Sequence, residues 1–522
     1  MSDIVTLNGY NIKDEKAVRS YETVALMKAD TKLKEGYHVK TKGYYQANDG
    51  GHGEYIIVDD DTLVDDGGSI HVLTNGLRAK LIIGNEIDPK VFGVYGDNIH
   101  DDTETLQNAI NFCIENNLLF KSSKSNTYKI TDTLIIGDII QANFNDSKII
   151  ANFDDDILKI TVSDDSDYIE DRENDYMFGG FLENLIIEGN NEGTGINFEY
   201  QKKMKITNVE IRNCNIGLYT QSATECLFED IRFNSCNIGL KVNSDDTVFN
   251  NIFGRFCNIG MQLLKFTRVI DSHFWVRPDE SEFNNSVYAE VYGGAVLKNV
   301  QIDSYQTGVK TLGTGGYTLD ISGQWQQPMD SLETYYLFKF TEASNVKNGF
   351  SVRLHDFNAI TKNAEPYCIF SDIEANQFRG FIDYSTCRCF RISKFPLTTH
   401  LELGNISEKL DTPLINRVNV ENNMIHIQFF AKVLESFTYL EFAKLPTDGY
   451  IETKPLIGIP YQAITTNQYA VNNPVTQFVA GFCSRTKTLT LLCLDNNNPV
   501  SADSYIYIDF TYINENIQNL TE

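Results

Sequence analysis

Through the middle of the chain, apolar and polar positions alternate in short runs, and none keeps the three-to-four spacing of an amphipathic helix. The runs also recur. Asn213-Cys214-Asn215-Ile216-Gly217-Leu218, Ser235-Cys236-Asn237-Ile238-Gly239-Leu240 and Phe256-Cys257-Asn258-Ile259-Gly260-Met261 nearly coincide, with their cysteines 22 and 21 residues apart. Nine residues before each glycine stands an anchor, Asn208, Asp230 or Asn251, and the same relation joins Asn184 to Gly193 and Asn299 to Gly308. Asn251 and Asn299 are 48 positions apart, and Asp271 supplies the anchor between them. Val269 holds the apolar place that Leu182, Ile206, Phe228, Phe249 and Leu297 hold two residues before the other anchors. A period of 20 to 24 residues built from short strands predicts an all-β, right-handed parallel β-helix, in which each turn lays three strands on the turn before.

Side chains alternate across a strand, so the first and third residues after each anchor, mostly apolar, should point inward: Leu185/Ile187, Val209/Ile211, Ile231/Phe233, Ile252/Gly254 and Val300/Ile302. The second and fourth should then form an outward face read from coil to coil as Ile186/Glu188, Glu210/Arg212, Arg232/Asn234, Phe253/Arg255, His273/Trp275 and Gln301/Asp303. Asn and Asp tolerate left-handed backbone, so the anchors are expected at turns, with side-chain ladders between them. Cys214, Cys236 and Cys257 are expected as an interior column rather than a metal site.

Two other patterns flank the coils. Asp101-Asp102-Thr103 followed by Leu106, Ala109, Ile110 and Cys113 on one face predicts an N-capped amphipathic helix able to close the open end of the solenoid. Beyond Ile392 the coil pattern fades. Period-two alternation at Met424–Phe429, Thr488–Cys493 and Tyr505–Tyr512 predicts a β-sandwich. The resulting division is 1–88 as an N-terminal particle-attachment domain, 89–392 as the β-helix with its capping helix, and 393–522 as the C-terminal sandwich.

Composition narrows the functions. With 44 basic and 71 acidic residues, the net charge of -27 would repel a phosphate backbone, so nucleic acid is not an expected partner. Local cationic spots could still bind an acidic polymer. No apolar run approaches the roughly 20 residues of a membrane span, so no membrane insertion is expected. Met1-Ser2-Asp3-Ile4 does not begin the pattern of a secretory leader, which suggests release by another route such as lysis. The ten cysteines show no zinc-type spacing and are expected as free thiols. The acidic stretch from Asp164 to Asp175 lacks the ligand spacing of an EF-hand, so neither a metal nor a cofactor is expected.

The stretch Phe92-Gly93-Val94-Tyr95-Gly96-Asp97, followed by Asp101-Asp102-Thr103, resembles the start of pectate-lyase-like β-helix proteins, with Val94 and Asn98 in place of the usual Ala and Gly. Upstream, Val24-Ala25-Leu26-Met27, Lys34–Val39, Gly43-Tyr44-Tyr45 and Asp49–Tyr55 are similar to the small N-terminal domain of many bacteriophage tailspikes and tail or neck appendages. The C-terminal strands are similar to distal modules of phage receptor-binding proteins, which commonly hold three chains together. This resemblance implies a homotrimeric virion appendage, joined to other tail or neck proteins through its N-terminal domain, that binds a bacterial surface polysaccharide at the host cell and depolymerises it. The alternative it leaves open is a non-catalytic receptor-binding spike for teichoic acid or capsule. A cellular pectinase-like enzyme fits the N-terminal motifs less well.

Chemistry would reside on the outward face. Glycoside hydrolysis needs two carboxyl groups, roughly 5 to 5.5 Å apart for retention or roughly 6.5 to 9.5 Å for inversion. Glu188 and Glu210, on neighbouring coils two strand positions apart, and Asp303, one coil beyond His273, are the candidates. An eliminating lyase would instead use a base such as His273, with Arg255 or Arg277 neutralising a uronate carboxylate. Both mechanisms stay open. The candidate sugar-binding residues are Trp275, Arg277, Arg232, Arg255, Tyr305 and Trp325, since a flat ring stacks on the apolar face of a pyranose and the glutamines around Trp325 suit hydroxyls. The structural alternative packs Trp325 under the C-terminal module and Trp275 under a loop or a neighbouring subunit.

Overall fold

The computed structural model describes residues 4–7, 10–13, 18–137, 140–161, 179–276, 286–313, 316–326 and 336–341, and between 350 and 513 the strands with short adjoining stretches. Two compact units result. In the first, Arg19–Tyr21, His38–Thr41, Glu54–Val58, Arg78–Leu81 and Ile70–Val72 form a five-stranded sheet whose alternation buries Val39, Tyr55, Ile57 and Ala79. A short helix, Val24–Ala29, lays Val24 and Met27 into the same core, and its N-cap Thr23 accepts the Leu26 amide at 3.2 Å. Tyr45 stacks on Tyr95 at 4.1 Å and Tyr95 on His100 at 3.8 Å, tying this sheet to the turn that starts the solenoid.

The helix Thr103–Glu115 forms where expected and buries Leu106, Ala109, Ile110 and Cys113. Its start departs from expectation. Asp102 holds the N-cap position but makes no side-chain cap bond; its buried carboxylate accepts the amides of Tyr95 at 2.7 Å and Gly96 at 3.0 Å. Asp101 instead accepts the Thr103 amide at 3.0 Å and the Thr131 hydroxyl at 2.6 Å. The acidic pair therefore anchors the incoming turn as much as the helix.

Beyond the helix the chain winds as a parallel β-helix with three faces. Strands Phe181–Glu188, Lys205–Arg212 and Leu227–Asn234 each cover the first two faces, and Thr194–Glu199, Ile216–Gln221 and Ile238–Asn243 cover the third. Pairing is parallel and in register, Leu185 to Val209 to Ile231. The anchors are the corner between the first two faces. Asn184, Asn208, Asp230, Asn251, Asp271 and Asn299 all have φ between 50° and 60°, the left-handed region that Asn and Asp enter at least cost. Asn208 Nδ2 donates to Asn184 Oδ1 at 2.8 Å, Asn251 to Asp230, and Asn299 to Asp271 at 2.6 Å, which makes the expected ladder. It ends one coil later: Leu297 faces Leu319 but Val300 faces Ile321, so Tyr317–Gln326 lacks the corner residue.

Inside, size alternates between coils. Gly254 stands in the column of Phe233 and Phe274, and a Cβ there would meet the Phe274 ring at 1.9 Å. The two rings close over it with centroids 6.2 Å apart. The repeated glycine of the Asn-Ile-Gly motif has a similar cause: a Cβ at Gly217 would lie 2.6 Å from the Gly239 carbonyl of the next coil. Cys214, Cys236 and Cys257 are buried in one column, with Cys214 Sγ 3.3 Å from the Arg212 carbonyl and Cys257 Sγ 3.6 Å from that of Arg255.

Among the described residues, the second unit contains two antiparallel sheets. Ile415–Glu421, Met424–Lys432 and Tyr505–Ile513 form one, and Tyr439–Lys444, Thr488–Cys493, Gln477–Cys483 and Tyr461–Ile464 the other. The three segments singled out by their alternation are all strands here.

Candidate functional site

The second face of the solenoid assembles most of the candidate residues. In register down one column stand Ile186, Glu210, Arg232, Phe253, His273 and Gln301; down the next stand Glu188, Arg212, Asn234, Arg255, Trp275 and Asp303. Their neighbours along each strand are buried core residues, so the pleat turns these side chains out.

Two clusters with different chemistry result. At the upper end, Lys148 Nζ lies 2.8 Å from Glu188 Oε2, and Arg212 Nε donates to Glu210 Oε1 at 2.8 Å. The Arg212 hydrogen bond holds the Glu210 carboxyl below the usual range against the opposing effect of burial, with added attraction from Arg212, Arg255 and Arg232. Glu210 thus stays ionised and is unsuited to donate a proton to a leaving group at neutral pH. Glu188 and Glu210 do lie on adjacent coils two positions apart, but each is committed to a cation.

At the lower end, His273 Nε2 lies 2.9 Å from Asp303 Oδ2, joining one coil to the next across the diagonal. The side chains are 30% and 15% exposed, so the imidazole is reachable while its carboxylate partner is sheltered. Gln301 Nε2 also reaches Asp303 Oδ2 at 3.2 Å. Trp275, partly exposed, stands in register between Arg255 and Asp303 and meets the Phe256 ring edge-on at 4.7 Å. Phe253, 38% exposed, meets the His273 ring edge-on at 6.4 Å. Arg232 and Arg255 are exposed on this face.

One candidate stands elsewhere, and two lie wholly or partly outside the described residues. Tyr305 is fully buried, its ring 5.8 Å from that of Tyr288, and cannot meet a ligand on the outward face. The correction follows from the repeat itself: Tyr305 lies six residues after Asn299, as Cys236 and Cys257 lie six after Asp230 and Asn251, so it continues the interior cysteine column. Arg277 lies outside the described residues, and so does the side chain of Trp325, whose backbone pairs with Ala359 in the coil beyond. Phe256 was not singled out. Its signal was present: it replaces Asn213 and Ser235 at a turn position with positive φ, here 57°, where a bulky side chain is strained. That strain is maintained beside Trp275.

Comparison with known proteins adds two findings. Residues 20–84, which form the five-stranded sheet, match the model of the phage tail protein small four-stranded β-sheet domain. Among solved structures, the gp42 tailspike of Acinetobacter phage vb_AbaP_AS12 superposes with a TM-score of 0.53 at 12% identity, covering 92% of this chain and 94% of that one. The enzymatically active domain of tailspike protein 2 from bacteriophage CBA120 gives 0.48 at 10% identity, over 94% of this chain and 82% of that one. At such identity the likeness is one of fold, the tailspike-type parallel β-helix. No curated protein sequence matches the chain.

Proposed function

We propose that the chain is a phage tailspike that binds a bacterial surface polysaccharide on the second face of its β-helix and depolymerises it there. Residues 1–88 would attach it to the virion tail, 89–392 would present the glycan, and 393–522 would clamp a homotrimer or extend binding. The observation that carries this reading is the His273–Asp303 pair, 2.9 Å apart, beside Trp275 on one accessible face of a phage-tail-linked solenoid. If the His273 Nε2–H donates to Asp303, the carboxylate fixes the tautomer that leaves Nδ1 as a base. That base can take a proton from water for hydrolysis or from a carbon beside a uronate carboxyl for elimination.

The alternative, adhesion without cleavage, draws support from the pairing of Glu188 with Lys148 and of Glu210 with Arg212, which removes both from a two-carboxylate hydrolytic site. One assay separates the readings. Purified protein is incubated with the surface polysaccharide of the host bacterium while chain length, reducing ends and absorbance of unsaturated sugar are followed. Shortening is expected, with new absorbance for elimination and without it for hydrolysis. Binding without shortening leaves adhesion. Asp303→Asn should cut turnover about a hundredfold or more with little change in affinity, and Trp275→Ala should weaken binding about tenfold, the worth of roughly 1.4 kcal/mol of lost ring contact. Unchanged turnover and affinity in both variants would reject this face.

A further inference from the structure

Resting on that reading of the face, we propose that the polymer it holds is polyanionic, and that Arg232 and Arg255 take successive carboxylate or phosphodiester groups along it. The chain carries a net charge of -27, yet three consecutive coils of this one face present Arg212, Arg232 and Arg255. Arg212 is committed to Glu210 at 2.8 Å. The other two form no ion pair with a described carboxylate, although Glu210 lies near enough to attract both. Arg232 reaches only the Asn208 amide oxygen, at 3.4 Å, and the Arg255 guanidinium meets none of the described side chains at hydrogen-bond or ion-pair distance.

Their placement fits a chain-like ligand. Arg255 stands one coil beyond Arg232 and two positions along the strand, in register with Asn234 and Trp275. Coil spacing and strand rise put the two backbone positions roughly 8 Å apart. A neutral glycan would find its ring platform in Trp275 but would leave two exposed guanidiniums with no ion-pair partner, only the more distant attraction of Glu210. An anionic one supplies it, and the planar fork of Arg accepts both carboxylate and phosphate in two-point contact. Phe256 against Trp275 steadies the ring beside Arg255. Toward the lower end the nearest acid on the face, Asp303, is bonded to His273, and Glu210, which attracts Arg255 from a distance, is paired with Arg212, so neither carboxylate occupies the ligand's place beside Arg255.

The test uses the full chain and host surface polysaccharide in two forms: native, and carboxyl-reduced to the neutral alcohol. Binding to the native polymer should weaken as salt rises. Arg232→Gln and Arg255→Gln should each weaken it about tenfold, with a shallower salt dependence and unchanged melting temperature. Loss of both arginine effects on the carboxyl-reduced polymer identifies uronates; their persistence on it identifies phosphodiesters. Salt-independent binding that both arginine variants leave intact, while Trp275→Ala weakens it, overturns the proposal and keeps the face. Binding that none of the three substitutions changes overturns the face itself.

Discussion

The fate of single residues here depends on phase within the coil more than on residue type. Tyr305 has the chemistry of a sugar-binding residue, but its position six after the corner asparagine commits it to the interior, where its hydroxyl finds no partner among the described residues. A buried hydroxyl without a hydrogen bond carries its desolvation cost in the folded state only. Tyr305→Phe should therefore stabilise the protein by about 1 kcal/mol, seen as a higher urea midpoint with unchanged slope; a loss of stability would mean the hydroxyl has a partner after all. Trp275 and His273 were legible from sequence because their coil repeats the anchor-to-face spacing. Where the coil between Asp271 and Asn299 lengthens to 28 residues the repeat no longer sets a phase, and Arg277 there lies outside the described residues. Phe256 was passed over because a hydrophobic residue in an otherwise polar turn column looks like noise until its ring is seen against Trp275.

At the scale of the element, the corner is the device that makes the face. One residue in the left-handed region turns the strand from the first face to the second without breaking the ladder, and the stacked amides tie consecutive corners. Alanine enters that region at a cost of roughly 1–2 kcal/mol and cannot continue the ladder, whereas glycine enters it freely. Asn208→Ala should accordingly lower stability by about 2 kcal/mol and Asn208→Gly by distinctly less, as read from chemical unfolding; equal losses would assign the corner to the side-chain ladder alone. This column was legible because Asn and Asp recur at it. The helix start was only half legible: Asp101-Asp102-Thr103 marks the boundary correctly, but whether a carboxylate turns toward its own helix or back to the amides of Tyr95 and Gly96 depends on the incoming turn, which spacing does not encode.

At the scale of the whole molecule, the fold was legible because a solenoid repeats its own instructions, and the C-terminal sheets because their strands alternate strictly. Assembly is a different matter, since association leaves no period in the sequence. On the first face Leu227 and Val248 stand side by side at outward, half-buried positions, but Lys205 precedes them and exposed Arg268 separates them from Val296, so this column by itself does not mark a subunit interface. Sedimentation equilibrium should give three times the 59.2 kDa chain mass at micromolar concentration, and a single-chain mass would remove the trimer from the proposal. The division of labour within each coil carries a last consequence. Interior side chains and corner amides hold the shaft, while the two outward columns contribute little to it, since exposed substitutions away from such features usually shift stability by less than about 0.5 kcal/mol. A lineage built on this shaft can therefore rewrite those columns, and with them whatever the face binds under the proposed function, without renegotiating how the protein folds.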